Sequence, residues 1–287
     1  MQKLISKFRC LEIITFSLII PSYGYNLSQT QLNQIFNHYS ACFILFNLNN
    51  HKNVLEYNKG DYCNEAISPN VTFEIPLSLM AFDQRRINES TIFVWENKTW
   101  SNPHWNHDQT PITWQKYSVI WVSQQITKQL GLSKIKYYLT GFKYGNRDFS
   151  GDHDQHNGLT NAWLNSSLKI SAFNQLQFLH AMLEYQLPVS KLAIQNTSQN
   201  IYLGNFNNDI DLYGKTASGW HVSNISLDKQ IKLNDGWFIG YLKDKDQTYI
   251  FVTNISYQNN LNSSINFDSS GNIAKKLTMQ ILNNYFK

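Results

Sequence analysis

Three stretches of the chain place a lysine three residues after a serine: Ser133 and Lys136, Ser166 and Lys169, and Ser226 and Lys229. On a helix that interval lets an amine take the proton of an attacking hydroxyl, the chemistry of acyl transfer through a serine ester. Three matches in one chain show how little the spacing specifies by itself. His104/His107 and His153/His156 have an interval that could suit a metal on a helical face. Both pairs lie in polar, loop-like text, "HWNHD" and "DHDQH", without a third ligand, so they are read as solvated loop histidines and no metal or other cofactor is expected. The segment "PNVTFEIPLSLMAFD", residues 69–83, reads as the start of a catalytic helix, with Val71 and Glu74 where a nucleophile and its base might be expected.

The elements that must position such groups follow from periodicity. "LSQTQLNQIFNHYS" sets Leu32, Ile35 and Phe36 on one side of a short amphipathic helix. "ACFILFNLNNHKNVLEYN" is two β-rich runs around a hairpin turn at "NNHKN". After Pro69 the pattern turns helical, with Ile75, Leu79 and Phe82 on a shared face and Pro76 expected to kink the helix or expose a carbonyl. Residues 110–205 are mainly helical. "DLYGKTASGW", "DGWFIGYLK" and "TYIFVTNIS" then read as consecutive antiparallel strands, and Ile273, Leu277, Ile281 and Tyr285 as a last helix. Strands from both ends and helices from the middle give an α+β fold, a mixed sheet holding both termini with a helical insertion at about 75–205.

At 287 residues and 42% hydrophobic, the chain suits one large domain or two closely packed subdomains. Lys3, Lys7 and Arg9, the apolar run "LEIITFSLII" and the small residues of "PSYG" form an export signal over residues 1–24, leaving a domain over 25–287. Without that segment the balance is 21 basic against 19 acidic residues, or +2, and no Lys/Arg cluster interleaved with aromatics follows. A nucleic-acid surface is therefore not expected, nor a stable membrane anchor, and no oligomeric state is specified. Cys42 and Cys63 remain; in an oxidising compartment they suit one disulfide closing a ~20-residue loop, worth ~3 kcal/mol, the other reading being two separate buried thiols.

Four motifs in order carry a resemblance. Ser118-Val119-Ile120 is similar to the Ser-x-Val element of class D β-lactamases, Tyr144-Gly145-Asn146 to their Tyr-Gly-Asn element, Trp163 to their omega-loop tryptophan, and Lys215-Thr216-Ala217 to their Lys-Thr-Gly strand. The flanking "PLSLMAFD" resembles the oxacillinase branch, and the similarity runs from about Cys42 to Asn284. The resemblance implies the fold of serine β-lactamases and penicillin-binding proteins, an antiparallel sheet flanked by helices, with the active site between the sheet and a helical subdomain.

It also implies what is missing. The family's Ser-Thr-Phe-Lys reads Val71-Thr72-Phe73-Glu74 here. The serine is the one acylated by the lactam, and the lysine, carbamylated, is the general base. Valine offers no oxygen to attack a carbonyl, and glutamate cannot carry a carbamate. On a helix Thr72 turns away by about 100°. The resemblance gives Ser118 and Lys215 proton-relay and substrate-carboxylate roles, and Trp163 an indole bond to the carbamate. It makes the strand residues Thr216, Ala217 and Ser218 ligand-facing, the Ala217 methyl narrowing the cleft. An oxyanion hole is expected from the backbone N–H groups of Val71 and Ser218, which survive side-chain replacement. Glu74 should pair with Lys215 or Ser118, because a buried carboxylate is costly alone.

The reading that follows is a catalytically silent, secreted class D homologue of the bacterial envelope, periplasmic or released. Its cleft would hold a β-lactam or peptidoglycan-derived ligand without acylation, or serve as a protein-interaction module. The loss also argues against β-lactam sensor domains of similar sequence, which signal through the acylated serine. The alternative is a working β-lactamase or hydrolase of atypical mechanism, with Glu74 as base on an attacking water.

Overall fold

A computed structural model describes residues 27–207, 209–226, 229–258 and 269–287. The expected export signal lies outside the described residues. Among those described, no helix is long and apolar enough to cross a membrane.

Helix α1 (Gln29–Ile35) begins at a capping box in which Ser28 and Gln31 satisfy each other's backbone N–H groups. The hairpin β1 (Ser40–Asn47) and β2 (Lys52–Asn58) follows, turning at Leu48–His51. Then come α2 (Glu74–Asp83), α3 (Pro111–Tyr117), α4 (Ile120–Leu130), α5 (Leu132–Gly141), the single turn α6 (Gly158–Asn161), α7 (Ala172–Leu183) and α8 (Lys191–Asn200). The chain closes with β3 (Tyr202–Phe206), β4 (Ile210–Ser226), β5 (Lys229–Lys243), β6 (Thr248–Tyr257) and α9 (Ser270–Tyr285).

All six strands form one antiparallel sheet in the order β2-β1-β6-β5-β4-β3. The first hairpin joins the last strands through β1 and β6, so both ends of the chain meet in the sheet, as their alternating patterns require. One face packs α9 and α1 over Phe43, Phe238 and Phe251; the other carries the larger core under α2, α4 and α7, built on Trp114, Trp163 and Trp237. Cys42 in β1 and Cys63 in the 3₁₀ segment after β2 form a disulfide, with Cα atoms 4.9 Å apart.

Three local expectations are corrected. Pro76 neither kinks α2 nor strands a carbonyl, because the helix starts at Glu74 and Pro76 lies in its first turn, where an N–H has no intrahelical partner anyway. Nor does α2 have a single buried face: every residue from Glu74 to Phe82 is buried. Within the stretch read as helical, Tyr202–Phe206 is the edge strand β3.

Candidate functional site

The site grows from the short turn before α2. Asn70–Phe73 is a 3₁₀ turn, entered through Asn70 at φ 47° and followed without a break by α2. This tight entry presses the turn against β4. A Cβ on Gly219 would lie 2.1 Å from Asn70 Nδ2 and 2.3 Å from Asn165 Oδ1, so only glycine allows the approach. Asn165 N–H donates to Asn70 Oδ1 (3.2 Å), and Asn165 Oδ1 accepts from Trp220 N–H (2.7 Å). The omega-loop segment thus ties the turn to the strand. Asn70 and Asn165 were not singled out from sequence, since nothing in their spacing marks them.

Val71 is half-buried and packs against the larger core. Its neighbour Thr72 is fully buried and turned inward: its hydroxyl donates to Pro69 C=O (2.7 Å) and accepts from Gln175 Nε2 (3.1 Å). Ser68 is also fully buried, its hydroxyl donating to Trp163 C=O at 2.9 Å. Neither hydroxyl faces the cleft. Of the stray Ser-x-x-Lys pairs, Ser133 and Lys136 lie exposed on α5, Ser166 and Lys169 lie in the loop before α7, and the side chains of Ser226 and Lys229 fall outside the described residues.

Glu74 opens α2 with no exposed surface. Its Oε1 accepts from the Ser123 hydroxyl (3.0 Å), which in turn accepts from Trp114 Nε1–H (2.8 Å). Its Oε2 lies 3.0 Å from Lys215 Nζ. Burial pushes the Glu74 carboxyl above the usual carboxylate range, while Lys215, Ser123 and Trp114 pull in the opposite direction. The expected pairing with Lys215 is direct, and Ser118 is reached only through Lys215.

Lys215 comes from β4 and is 5% exposed. It also donates to Gln115 C=O (2.8 Å) and, by a short bond, to the Ser118 hydroxyl. Lys215 thus joins an ion pair with Glu74 to hydrogen bonds with Gln115 and Ser118. Ser118 caps α3 at φ 51° in the left-handed region, a strained setting for serine that aims its side chain at Lys215. Gln115 Nε2 donates to Glu74 C=O (2.7 Å), so α3 is clamped to α2 as well. Trp114, Gln115 and Ser123 are site residues that the sequence reading missed. A serine five positions after Ser118 in an amphipathic run was the available signal.

The backbone side of the cleft is the free edge of β4. Gly214 N–H donates to Ile201 C=O and Trp220 N–H to Asn165, both across the β4 edge that faces away from β5. Alternate residues of a strand point their N–H groups the same way, so Ser218 N–H points across that edge too. The Ser218 hydroxyl accepts from Gly271 N–H (2.9 Å), and Thr216 is half-buried. Ala217 is 2% exposed and packs in the core, so its methyl is enclosed rather than narrowing an open groove. Trp163 is fully buried between Phe73 and Phe149, and its indole N–H has no partner among the described residues. His104 stacks on Tyr117 at 4.2 Å, while His107, His153 and His156 are exposed; among the described residues no three His, Cys, Asp or Glu side chains cluster as metal ligands.

This geometry can now be set beside known proteins. Residues 41–279 match the penicillin binding protein transpeptidase domain. Beta-lactamase OXA-1 of Escherichia coli is 42% identical over 257 residues, covering 88% of each chain. The chain belongs to the class D β-lactamase family. The class D β-lactamase BAT-2 superposes with a TM-score of 0.73 at 27% identity, covering 90% of this chain and 98% of that one. The C-terminal domain of the Bacillus licheniformis BlaR penicillin-receptor gives 0.73 at 26%, covering 88% and 93%. The methicillin resistance mecR1 protein of Staphylococcus aureus is 32% identical over 264 residues, 90% of this chain and 42% of that protein. In this chain Val71 and Glu74 lie on one continuous turn into α2, and Ser118 and Lys215 are in contact.

Proposed function

We propose that this class D β-lactamase relative forms no acyl-enzyme and acts by holding a β-lactam or a peptidoglycan-derived fragment non-covalently in the cleft. One observation carries the reading: Val71 supplies only hydrocarbon at the nucleophile position, and Glu74 is enclosed, its Oε1 accepting from Ser123 and its Oε2 in ion-pair contact with Lys215. A carboxylate without exposed surface and paired with a cation cannot take a proton from an attacking water without first opening to it. The outward N–H of Ser218 remains suited to a carbonyl oxygen, which supports retained ligand binding. Export to the bacterial envelope, through residues 1–24, belongs to the same reading and is checked by the N-terminal residue of protein recovered from the periplasm or medium.

The test is mass spectrometry after incubation with benzylpenicillin, paired with a chromogenic cephalosporin assay. Wild type is expected to show no adduct and no turnover, and Val71→Ser/Glu74→Lys to gain a penicilloyl mass. Wild-type turnover at enzyme-like rates ends the silent reading.

A further inference from the structure

Behind Lys215 lies a cavity of about 470 Å³ that the cleft does not use. It opens between α3, the junction of α8 with β3, β4 and the first turns of α9, and it shares Gln115 and Lys215 with the cluster around Glu74. Its charge is one-sided: Lys116 on α3 and Lys275 on α9 line it, and no Asp or Glu does. Lys116 Nζ lies 5.4 Å from the Tyr117 ring and Lys275 Nζ 5.8 Å from the Phe238 ring. Neither ammonium forms an ion pair among the described residues.

Two buried polar atoms on this lining are unmatched. Asn200, 9% exposed, has an Nδ2 without an acceptor; Gln115, 2% exposed, has an Oε1 without a donor. The bond from Gln115 Nε2 to Glu74 C=O fixes the amide, so Oε1 is an acceptor in earnest. Unmatched buried groups are costly, and a ligand that completes them recovers that cost. The remaining wall is apolar, from Ile112, Ile201, Leu203 and Phe238.

We propose that this cavity binds an N-acyl amino acid or the C-terminal residue of a peptide bearing an apolar side chain. The carboxylate meets Lys116, Lys275 and Asn200 Nδ2, the amide N–H donates to Gln115 Oε1, and the side chain lies on the Ile112–Leu203 wall. An inorganic oxyanion answers only the first of these demands, and a simple apolar molecule only the last. The proposal does not depend on whether the neighbouring cleft is silent.

The test titrates N-acetyl-L-leucine, its carboxamide and inorganic phosphate into the full-length protein, read by amide chemical shifts. The acid is expected to give saturable shifts around residues 112–116, 200–203 and 272–275. The carboxamide and phosphate should each bind at least about tenfold more weakly, as loss of charge-assisted bonds or of the apolar contact requires. Lys116→Gln/Lys275→Gln, changed at the cavity rim, should weaken the acid about tenfold with an unaltered circular dichroism spectrum. Absent binding, equal binding of acid and carboxamide, phosphate binding as tightly as the acid, or full affinity in the double variant would each overturn the proposal. A penicilloyl adduct on wild type would defeat the silent reading and leave this one standing.

Discussion

The floor of the cleft and its wall differ in what each asks of the sequence. The floor, Asn70–Glu74, acts through its side chains, the hydrocarbon of Val71 and the buried carboxylate of Glu74. The wall, Lys215–Trp220 of β4, works largely through the direction of strand N–H groups, which the ladder to β5 fixes whatever the side chains are. The contrast teaches that the side-chain chemistry of a cleft and its backbone shape are set separately. The two sides are nonetheless coupled, because the carboxylate at the floor pairs with the one cation of the wall.

That coupling can be broken deliberately. Lys215→Met leaves Glu74 buried without its cation and is expected to cost about 3–5 kcal/mol in urea unfolding. Adding Glu74→Met should recover most of the loss, since an apolar pair of similar volume is often as stable as a buried ion pair. Losses that simply add would show that floor and wall are independent. Replacing both cysteines with alanine should cost about 3 kcal/mol through the unfolded chain, and this loss should add to that of Lys215→Met. A smaller effect lies in pH. Burial raises the Glu74 carboxyl above its ordinary 4.5, so the folded state holds that proton more tightly than the unfolded chain. Its contribution is then fully present below 4.5 and declines as pH rises through the raised folded value. Wild-type stability minus that of Glu74→Gln should fall from pH 4.5 toward neutrality; a rising difference would mean that attraction to Lys215 outweighs burial. The least effect is expected for Trp163→Phe. Relief of an unpartnered indole N–H and loss of ring packing are of similar size, so thermal unfolding should move by no more than about 1 kcal/mol.

The strands, the hairpin and the closing helix were legible because alternation and i, i+4 spacing report directly on which face is buried. Ile281, for instance, sits with no exposure on α9, where the period puts it. Motif text likewise placed Ser118 and Lys215 in one cleft, where the structure has them in contact, and a buried carboxylate needing a partner pointed Glu74 at Lys215 or Ser118, of which it meets Lys215. Helix α2 misled the periodic reading because an element buried on all sides has no polar face to set its phase. Ser123 and Trp114 stayed hidden because they matter only through Glu74, whose neighbours come from α3 and α4 rather than from its own helix. The edge strand β3 offered only five residues, too few for alternation to outweigh the helical text before it.

Complete enclosure of residue 74 makes that position intolerant of a change of charge. Glu74→Lys made alone would set a second ammonium against Lys215 in an enclosed site, so that one amine must surrender its proton or the helix must open. Val71→Ser made alone would add a hydroxyl with no base beside it. Neither single change therefore joins a hydroxyl to a tolerated amine, and under the proposed silent reading only the paired change does.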